Sequence, residues 1–252
     1  MPPPEIRIIG IQGLPEIRPG DDLAKMLVDA AKRQKTPLQK GDILVITQKI
    51  VSKAEGRLVK LADVKPSGFA QSIAATYQKD PRQMELILRE SKRIVRMDMG
   101  ILITETKHGF ICANGGIDTS NLETSGYAAL LPEDSDKSSQ GIKRAMKRLT
   151  KADVAVIISD TFGRPWREGC TNVAIGVAGI LPLIDYRGQK DPAGYLMRAS
   201  ILAVADELAS ATEPIMGKLN RIPAAIVRGF DYPKGNGSSR SLVRDAKMDM
   251  FR

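Results

Sequence analysis

Five consecutive apolar residues, Val154 to Ile158, constrain the fold of this chain more than any other segment. A short continuous apolar run is typical of a strand that is buried inside a sheet. The run leads directly into Ser159, Asp160 and Thr161. Because open α/β sheets place their chemistry beyond the carboxyl ends of buried strands, the sequence predicts a functional site at this point.

The remaining segments alternate between helical and extended patterns. Helical spacing follows a capping aspartate at position 21 or 22, and residues 66–92 are predicted to form two helices that break before Pro81. Strands with the sequences RIVRM and ILITET turn back at His108, and residues 125–139 are predicted to be a polar loop. A further helix is predicted at 195–211 and a short one in the C-terminal tail. Since hairpins interrupt the alternation, we predict a mixed α/β or α+β fold.

Length and composition restrict the class of protein. The 252 residues suffice for one large domain or two smaller ones. The first residues lack the features of a signal peptide, and no apolar run approaches the ~20 residues that a membrane-spanning helix needs. The two cysteines form no CxxC pair, which suits a reducing compartment. We therefore expect a cytoplasmic protein that does not associate with a membrane.

The formal net charge of +9 suggests an anionic partner. Nucleic acid is one option, and an anionic small molecule such as a nucleotide is another. The basic residues are spread along the chain and aromatic residues make up only 4% of it, which argues against a base-stacking surface. We therefore expect a small anionic ligand and no nucleic acid, with solubility alone as the alternative explanation for the charge.

Several common site motifs are absent from the sequence. Neither the phosphate-binding pattern GxxxxGK[ST] nor the dinucleotide pattern GxGxxG occurs. His108 is the single histidine, which argues against a Ser-His-Asp triad and against a histidine-rich zinc site. Any phosphate chemistry must therefore use another scaffold.

Two acidic residues stand where predicted strands end. Asp160 follows the apolar run, and Asp118 follows the segment FICANGG. Magnesium prefers hard oxygen ligands, commonly one or two carboxylates together with phosphates and water. Asp118 and Asp160, assisted by Thr161, would supply such ligands if the strand ends lie together. For each aspartate alone, a turn or a helix cap is the favoured explanation; only the pair, flanked by basic residues, makes metal binding equally good.

Basic residues accompany both acids. Such groups bind phosphates and carboxylates and neutralise charge during phosphoryl transfer, although for any one of them a solvated strand face is the favoured explanation. Trp166, the single tryptophan, is expected to pack and fix its loop. The basic positions are Lys49, Lys53 and Arg57, on a polar tail predicted after the strand at 43–46, and Arg164 and Arg167 after Asp160.

The segments GLPEIRPGDDL, VITQKIVSKAEGR, NGGIDTSN, ISDTFGRPWREG, AIGVAGI and PAAIVRGF occur in this order from about residue 6 to 230. Together they resemble the coenzyme F420-0:L-glutamate (γ-glutamyl) ligases. The resemblance implies a two-part α/β fold with mixed sheets, and a homodimer with an active-site cleft near the subunit interface. It implies a single unit over residues 1–252, with two intertwined subdomains as a variant of that description. Because the chain stops at Arg252, we expect no C-terminal reductase domain.

The resemblance also implies a reaction. Family members join L-glutamate to the lactyl carboxylate of F420-0, and many add further γ-linked glutamates. The expected route is phosphorylation of the acceptor carboxylate by GTP, followed by attack of the glutamate amine on the acyl phosphate. Two magnesium or manganese ions, with potassium as a further ion, would act as a template and charge sink. A ligase for another acidic acceptor and, against the charge pattern, a nucleic-acid-binding protein are the alternatives.

The resemblance further implies site residues. The metal ligands fall on Asp118, Asp160 and Thr161, while no catalytic residue is assigned. The late loop MGKLNRI is less acidic and poorer in glycine than in some relatives, which puts base contacts and an extra carboxylate ligand there in question. The nucleotide-binding positions are Leu14, Pro15, Glu16, Ile17, Gln48, Lys49, Lys53, Asn121, Met216, Gly217, Lys218, Leu219, Asn220, Arg221 and Ile222. Candidates for a phosphate or substrate contact are Arg57, Arg164 and Arg167, and candidates for a general base are Glu55 and Glu168.

Overall fold

A computed structural model of the chain describes residues 3–119 and 126–250. Its helices are α1 (Leu23–Arg33), α2 (Gln48–Ala54), α3 (Gly68–Tyr77), α4 (Pro81–Glu90), α5 (Ser135–Thr150) and α6 (Val204–Met216). Its strands are β1 (Arg7–Gly10), β2 (Ile43–Thr47), β3 (Leu58–Lys60), β4 (Ser91–Asp98), β5 (Ile101–Thr106), β6 (Ile111–Ala113), β7 (Tyr127–Ala129), β8 (Ala155–Arg164), β9 (Arg167–Ala178), β10 (Ile184–Asp185), β11 (Ile201–Leu202) and β12 (Ala224–Arg228). No helix within these residues is long and apolar enough to cross a membrane.

The largest sheet has five strands in the order β1-β12-β2-β8-β9. Strands β2 and β8 are parallel, and every other neighbouring pair in this sheet is antiparallel. The mixed α/β class predicted from the sequence is thereby confirmed. The apolar run 154–158 forms the buried half of β8, next to the central strand β2.

Both faces of this sheet are covered by helices. Side chains of β8 alternate between the faces, as the two-residue period of a strand requires. Val156 and Ile158 pack in the cluster that contains α1, α2 and α5, whereas Ala155 and Ile157 pack in the cluster that contains α6. The run is continuously apolar because neither face of the strand meets water.

A second, smaller body stands beside the carboxyl ends of β2 and β8. The antiparallel strands β4, β5 and β6 form its sheet, and α3 and α4 supply much of its core. The predicted break before Pro81 is confirmed, because Asp80 caps α4 and Pro81 is its first residue. The rings of Phe110 and Phe162 meet edge to face with their centroids 6.2 Å apart, so the β5–β6 hairpin is anchored on β8.

Three predicted boundaries were wrong. β8 does not end at Ile158 but continues to Arg164, because β9 folds back and pairs with it along this whole length. The segment 48–54, interpreted as a polar tail, is the helix α2. The predicted loop at 125–139 contains β7 and the first turn of α5, which Asp134 caps by accepting a hydrogen bond from the backbone N–H of Lys137.

Two predicted helices were also wrong. Residues 195–203 are not helical, because their backbone pairs with 184–191 through bonds such as Tyr186 N–H to the Ser200 carbonyl; α6 begins only at Val204. The tail forms two short 3-10 turns, Ser239–Leu242 and Ala246–Met248. The side chain of Asp136 accepts hydrogen bonds from Ser238 and Ser239 and holds the start of that tail against α5.

Candidate active site

The parallel pair β2 and β8 brings two predicted site segments to one edge of the sheet. Thr47 lies opposite Ser159 in the register of the pair. Lys49 follows Thr47 on α2, and Asp160 follows Ser159 on β8. The two segments meet because parallel strands point their carboxyl ends in the same direction.

Alternation along β8 directs Asp160 and Thr161 to opposite faces of the sheet. Asp160 stands between Ile158 and Phe162, which pack in or against the cluster of α1 and α5. Thr161 points the other way, to the face covered by α6. A register shift opposite Ile158 and Ser159 leaves one extra residue, Ile175, on the facing strand β9 just before the acid. Such bulges re-aim side chains near functional sites.

Asp118 approaches from the smaller body. Its backbone N–H and carbonyl pair with Ala129 at 3.0 and 2.8 Å. Two glycines with positive φ, Gly115 and Gly116, turn the chain between β6 and this residue. A Cβ on Gly116 would lie 2.8 Å from Leu131, so the close approach also requires glycine there.

The ammonium of Lys49 lies 2.7 Å from Oδ2 of Asp118. The structure thus joins α2 to the segment after β6, two regions that are separate in the sequence. Both side chains are partly buried, with 20% and 30% of their surfaces exposed, so this pair is less screened than a surface salt bridge.

Burial raises the pKa of Asp160 to about 7, and the nearby charge of Asp118 adds to the rise. The Thr161 backbone N–H, which donates to Oδ1 of Asp160 at 2.8 Å, and the charges of Lys218 and Lys49 oppose it. The carboxylates of Asp118 and Asp160 therefore share a partly buried space. The positive charges of Lys49 and Lys218 do not fully compensate the two negative charges there. A bound cation would complete the compensation.

The donor set fits a hard divalent ion. Asp118 and Asp160 supply carboxylate oxygens and Thr161 a hydroxyl oxygen, the ligand types that magnesium and manganese prefer. No group of three or more His, Cys, Asp or Glu side chains suited to a metal occurs within residues 3–119 and 126–250. The protein would thus supply only part of the coordination shell, which leaves positions for water and phosphate, as is usual for magnesium.

A polar network surrounds Thr161 on the α6 side. Its hydroxyl donates to Oδ1 of Asn172 at 2.8 Å, and Nδ2 of Asn172 donates to Glu213 at 2.8 Å. Lys218 donates to the Thr161 hydroxyl at 2.6 Å and lies 3.4 Å from Glu213. Asn172 and Glu213 were not identified from the sequence. Neither carries a motif, and only the β8–β9 pairing and the packing of α6 bring them to the site.

The predicted nucleotide-binding segments lie around the same strand ends. Lys53 is buried, with 6% of its surface exposed, and forms an ion pair with Glu16, which ties α2 to the loop after β1. Gln48 is buried and accepts a hydrogen bond from Ser52 at 2.8 Å. Of the loop residues, Leu14 and Ile17 pack on the core, while Pro15 is exposed. Asn121 lies outside the described residues.

The late loop begins where α6 ends. Met216 is buried and Gly217 caps the helix with φ 56°. Leu219 is exposed, and Arg221 has a positive φ. Asn220 donates to the Ile215 carbonyl at 3.5 Å, and Ile222 packs on Gly10, where a Cβ would come within 2.8 Å of it.

The contacts of the three candidate arginines are with residues other than Asp118 and Asp160. Arg57 donates to the Leu131 carbonyl at 3.0 Å and pairs with Glu90 at 3.1 Å, so it joins the two bodies of the fold. Arg164 donates to the Glu168 carbonyl at 2.6 Å at the tip of the β8–β9 hairpin. At about 3.3 Å per residue, that tip is roughly 13 Å along the strand from Asp160. Arg167 is exposed at the same tip.

The expected packing role of Trp166 was wrong. Its side chain is 80% exposed, because it occupies the hairpin turn with φ 57° and projects from the chain. The two general-base candidates also stand elsewhere. Glu168 is exposed at the same hairpin tip, and Glu55 accepts a hydrogen bond from the Ser138 hydroxyl at 2.6 Å at the far end of α2. Burial raises the pKa of Glu55.

Comparison with known proteins decides the family. A family model described as F420-0:Gamma-glutamyl ligase matches residues 11–229, a range that includes all of the acids and lysines described above. The chain belongs to the F420-0:gamma-glutamyl ligase family. The family resemblance of the sequence segments is thereby confirmed.

Curated members of the F420-0:gamma-glutamyl ligase family match this chain over nearly its full length. A protein named coenzyme F420:L-glutamate ligase from Methanothermobacter thermautotrophicus is 43% identical over 98% of this chain and 99% of its own length. Proteins of the same name from Methanopyrus kandleri and Methanocaldococcus jannaschii are 42% and 40% identical, over 99% and 98% of this chain and 98% and 97% of their own lengths.

Proposed function

We propose that this chain joins L-glutamate to coenzyme F420-0 in a reaction driven by GTP. The near-complete coverage of relatives that carry the name coenzyme F420:L-glutamate ligase supports this activity. The observation that carries the proposal at the site is the meeting of Asp118, Asp160 and Lys49 at the end of the parallel strands. This arrangement offers both signs of charge, as a reaction between a nucleotide and two carboxylate substrates requires.

Asp118, Asp160 and Thr161 would hold magnesium or manganese in this site, two ions in the arrangement that the family resemblance implies. When bound, the ion would neutralise phosphate charge during phosphoryl transfer. Lys53 and Lys49 stand beside it as fixed cations for the nucleotide phosphates, and Glu16 orients Lys53 through their ion pair. The role of potassium as a further ion is part of the same proposal.

The proposed chemistry has two steps. A carboxylate oxygen of F420-0 attacks the γ-phosphorus of GTP, so that an acyl phosphate forms and GDP leaves. The amine of glutamate then attacks the acyl carbon and an amide bond forms. The bond between the acyl carbon and the phosphate oxygen breaks, and inorganic phosphate leaves with its electron pair. The amine loses a proton in this step. Repetition on the γ-carboxylate of the new residue would add further glutamates.

The charge of the chain supports this substrate set. GTP, F420-0 and glutamate are all anions, and a cleft that collects them requires cationic residues. The net charge of +9 accommodates this. We also propose that the chain works as a homodimer with the cleft near the subunit interface.

The test is a mass measurement on the reaction products. The chain is incubated with F420-0, glutamate, manganese or magnesium, and either GTP or ATP. We expect a product ladder spaced by glutamyl residues that depends on GTP and on the metal. Unchanged F420-0 under every condition would overturn the activity, and equal rates with ATP would overturn the preference for GTP. A matched incubation with other carboxylate acceptors tests whether a different acid is the substrate.

A further inference from the structure

Lys218 places a positive charge directly on a predicted metal ligand. Its ammonium donates to the hydroxyl of Thr161 at 2.6 Å and lies 3.4 Å from Oε1 of Glu213. One ammonium thus contacts both Thr161 and Glu213 on the α6 side of the site.

The surrounding loop explains why the lysine reaches this position. Gly217 ends α6 with φ 56°, and a Cβ there would come within 2.7 Å of the Asn220 side chain. Ile222 is seated against Gly10 on β1. With both ends of the loop fixed, Lys218, which follows the helix cap, is turned back toward Thr161 in the second half of β8.

The oxygens that Lys218 contacts are those that a second divalent ion would use. Thr161 and Glu213 are hard oxygen donors, and they lie on the face of the sheet opposite to the side chain direction of Asp160. Asn172 is already bonded to both of them. An ammonium within hydrogen-bond distance of these oxygens repels a divalent ion at the same place, because both are cations in a partly buried site.

Lys49, on the Asp118 side of the site, does not exclude a divalent ion in the same way. It forms an ion pair with Asp118 at 2.7 Å. On this side the carboxylates of Asp118 and Asp160 carry two negative charges against the single positive charge of Lys49, so one divalent ion remains favourable between them.

We propose that Lys218 is a tethered cation that takes the place of a second divalent ion, so that this chain binds one ion, between Asp118 and Asp160. The inference rests on the metal site of the proposed function and changes its expected stoichiometry from two ions to one. Lys218 acts here as a positioning residue: it holds the Thr161–Glu213 side in a charged but metal-free state.

The test counts manganese ions by titration calorimetry and by electron paramagnetic resonance, with GDP present. Variants are Lys218→Gln and Lys218→Glu, and the control is Lys40→Gln, an exposed lysine at the opposite end of β2. We expect one ion per chain for the unaltered protein and the control. Both Lys218 variants should bind two ions, with the second at least about tenfold tighter in Lys218→Glu, because a carboxylate replaces the ammonium.

Thermal unfolding monitored by circular dichroism checks that each variant is folded before the ions are counted. Two ions on the unaltered protein, or one ion on both variants, would overturn the inference, and so would the absence of binding by any form. Product formation from F420-0 is measured separately on the same samples. A protein that makes glutamyl products but binds two ions refutes only the role of Lys218, whereas one ion without products refutes only the substrate assignment.

Discussion

The ammonium of Lys49, on α2, lies 2.7 Å from Oδ2 of Asp118, in the segment after β6. This ion pair connects the five-stranded sheet to the smaller body. It also holds Asp118 near Asp160, whose pKa the second carboxylate helps to raise. The site is therefore a product of docking between the two bodies, and its acids should respond together to substitution.

Replacing either aspartate should remove most of the ligase activity. Asp118→Asn and Asp160→Asn each keep the side chain's size but weaken the hold on a divalent ion. We expect the rate to fall at least ~100-fold, since neutralisation of phosphate charge is worth several kcal/mol in the transition state. The rate of glutamyl product formation is the measurement. Asp63→Asn, on the exposed turn after β3, is the control and should keep the full rate; full rates in both site variants would contradict the metal assignment.

Asp160 should give the metal-free protein an unusual pH dependence of stability. The pKa of its carboxyl is raised from 3.8 to about 7 on folding. Between these values the folded chain holds the proton and the unfolded chain does not, so the free energy of unfolding falls as the pH rises from about 4 to about 7. Above about pH 7 the folded chain carries the full cost of an ionised, buried Asp160, which lowers the free energy of unfolding by on the order of a few kcal/mol.

The variant Asp160→Asn isolates this effect. Its side chain does not titrate, so the difference in unfolding midpoint between it and the unaltered protein should change across pH 4 to 7. At pH 8 without metal, the variant should be the more stable of the two. Manganese should remove this advantage, because the ion binds the ionised carboxylate. A difference that stays constant with pH would show that Asp160 does not carry the raised pKa.

The sequence was sufficient to predict the acidic pair but not its surroundings. Asp118 and Asp160 each follow an apolar segment, a local pattern that can be read without a structure. Asn172 and Glu213 reach the site only through the strand pairing of β9 and the packing of α6. No local pattern records such contacts, because they join residues 11 and 41 positions apart.

The errors in secondary structure have the same origin. Residues 195–203 have apolar positions at helical spacing, but their backbone pairs with 184–191. The first half of β8 is apolar and was predicted, whereas the half from Asp160 to Arg164 is polar and is a strand only because β9 pairs with it. Tertiary pairing overrode local propensity in both places.

The buried ion pair of Asp42 and Arg228 should be important for stability. Asp42 is 1% exposed, and Arg228 donates to both of its carboxylate oxygens at 2.8 and 2.7 Å. Arg228→Met would leave the carboxylate buried without its main partner, which costs about 3–5 kcal/mol. Urea unfolding measures the loss. Arg187→Met is the matched control, because its partner Asp185 is 47% exposed and solvent screens that pair, so the loss there should be smaller. Equal losses in the two variants would contradict the argument.

Gly176 should be the least replaceable glycine of β9. A Cβ at this position would lie 2.3 Å from the carbonyl oxygen of Ser135, the first residue of α5. The helix would have to move away from the sheet, and with it the hydrogen bond from the Val177 N–H to Asp136 at 2.8 Å. We expect Gly176→Ala to lower the free energy of unfolding by about 1–3 kcal/mol or more, as overpacking does.

Gly163→Ala is the control for Gly176→Ala within the same hairpin. A Cβ at Gly163 has no atom within 4 Å, and this residue also lies in a strand. Its substitution should change the free energy of unfolding by no more than about 0.5 kcal/mol, because it touches nothing and restricts the unfolded chain slightly. Urea midpoints of the two variants, measured side by side, decide the matter. If both variants unfold at the urea midpoint of the unaltered chain, α5 does not pack on β9 as closely as the structure places it. In that case Asp136, which lies on α5, would not hold the tail either.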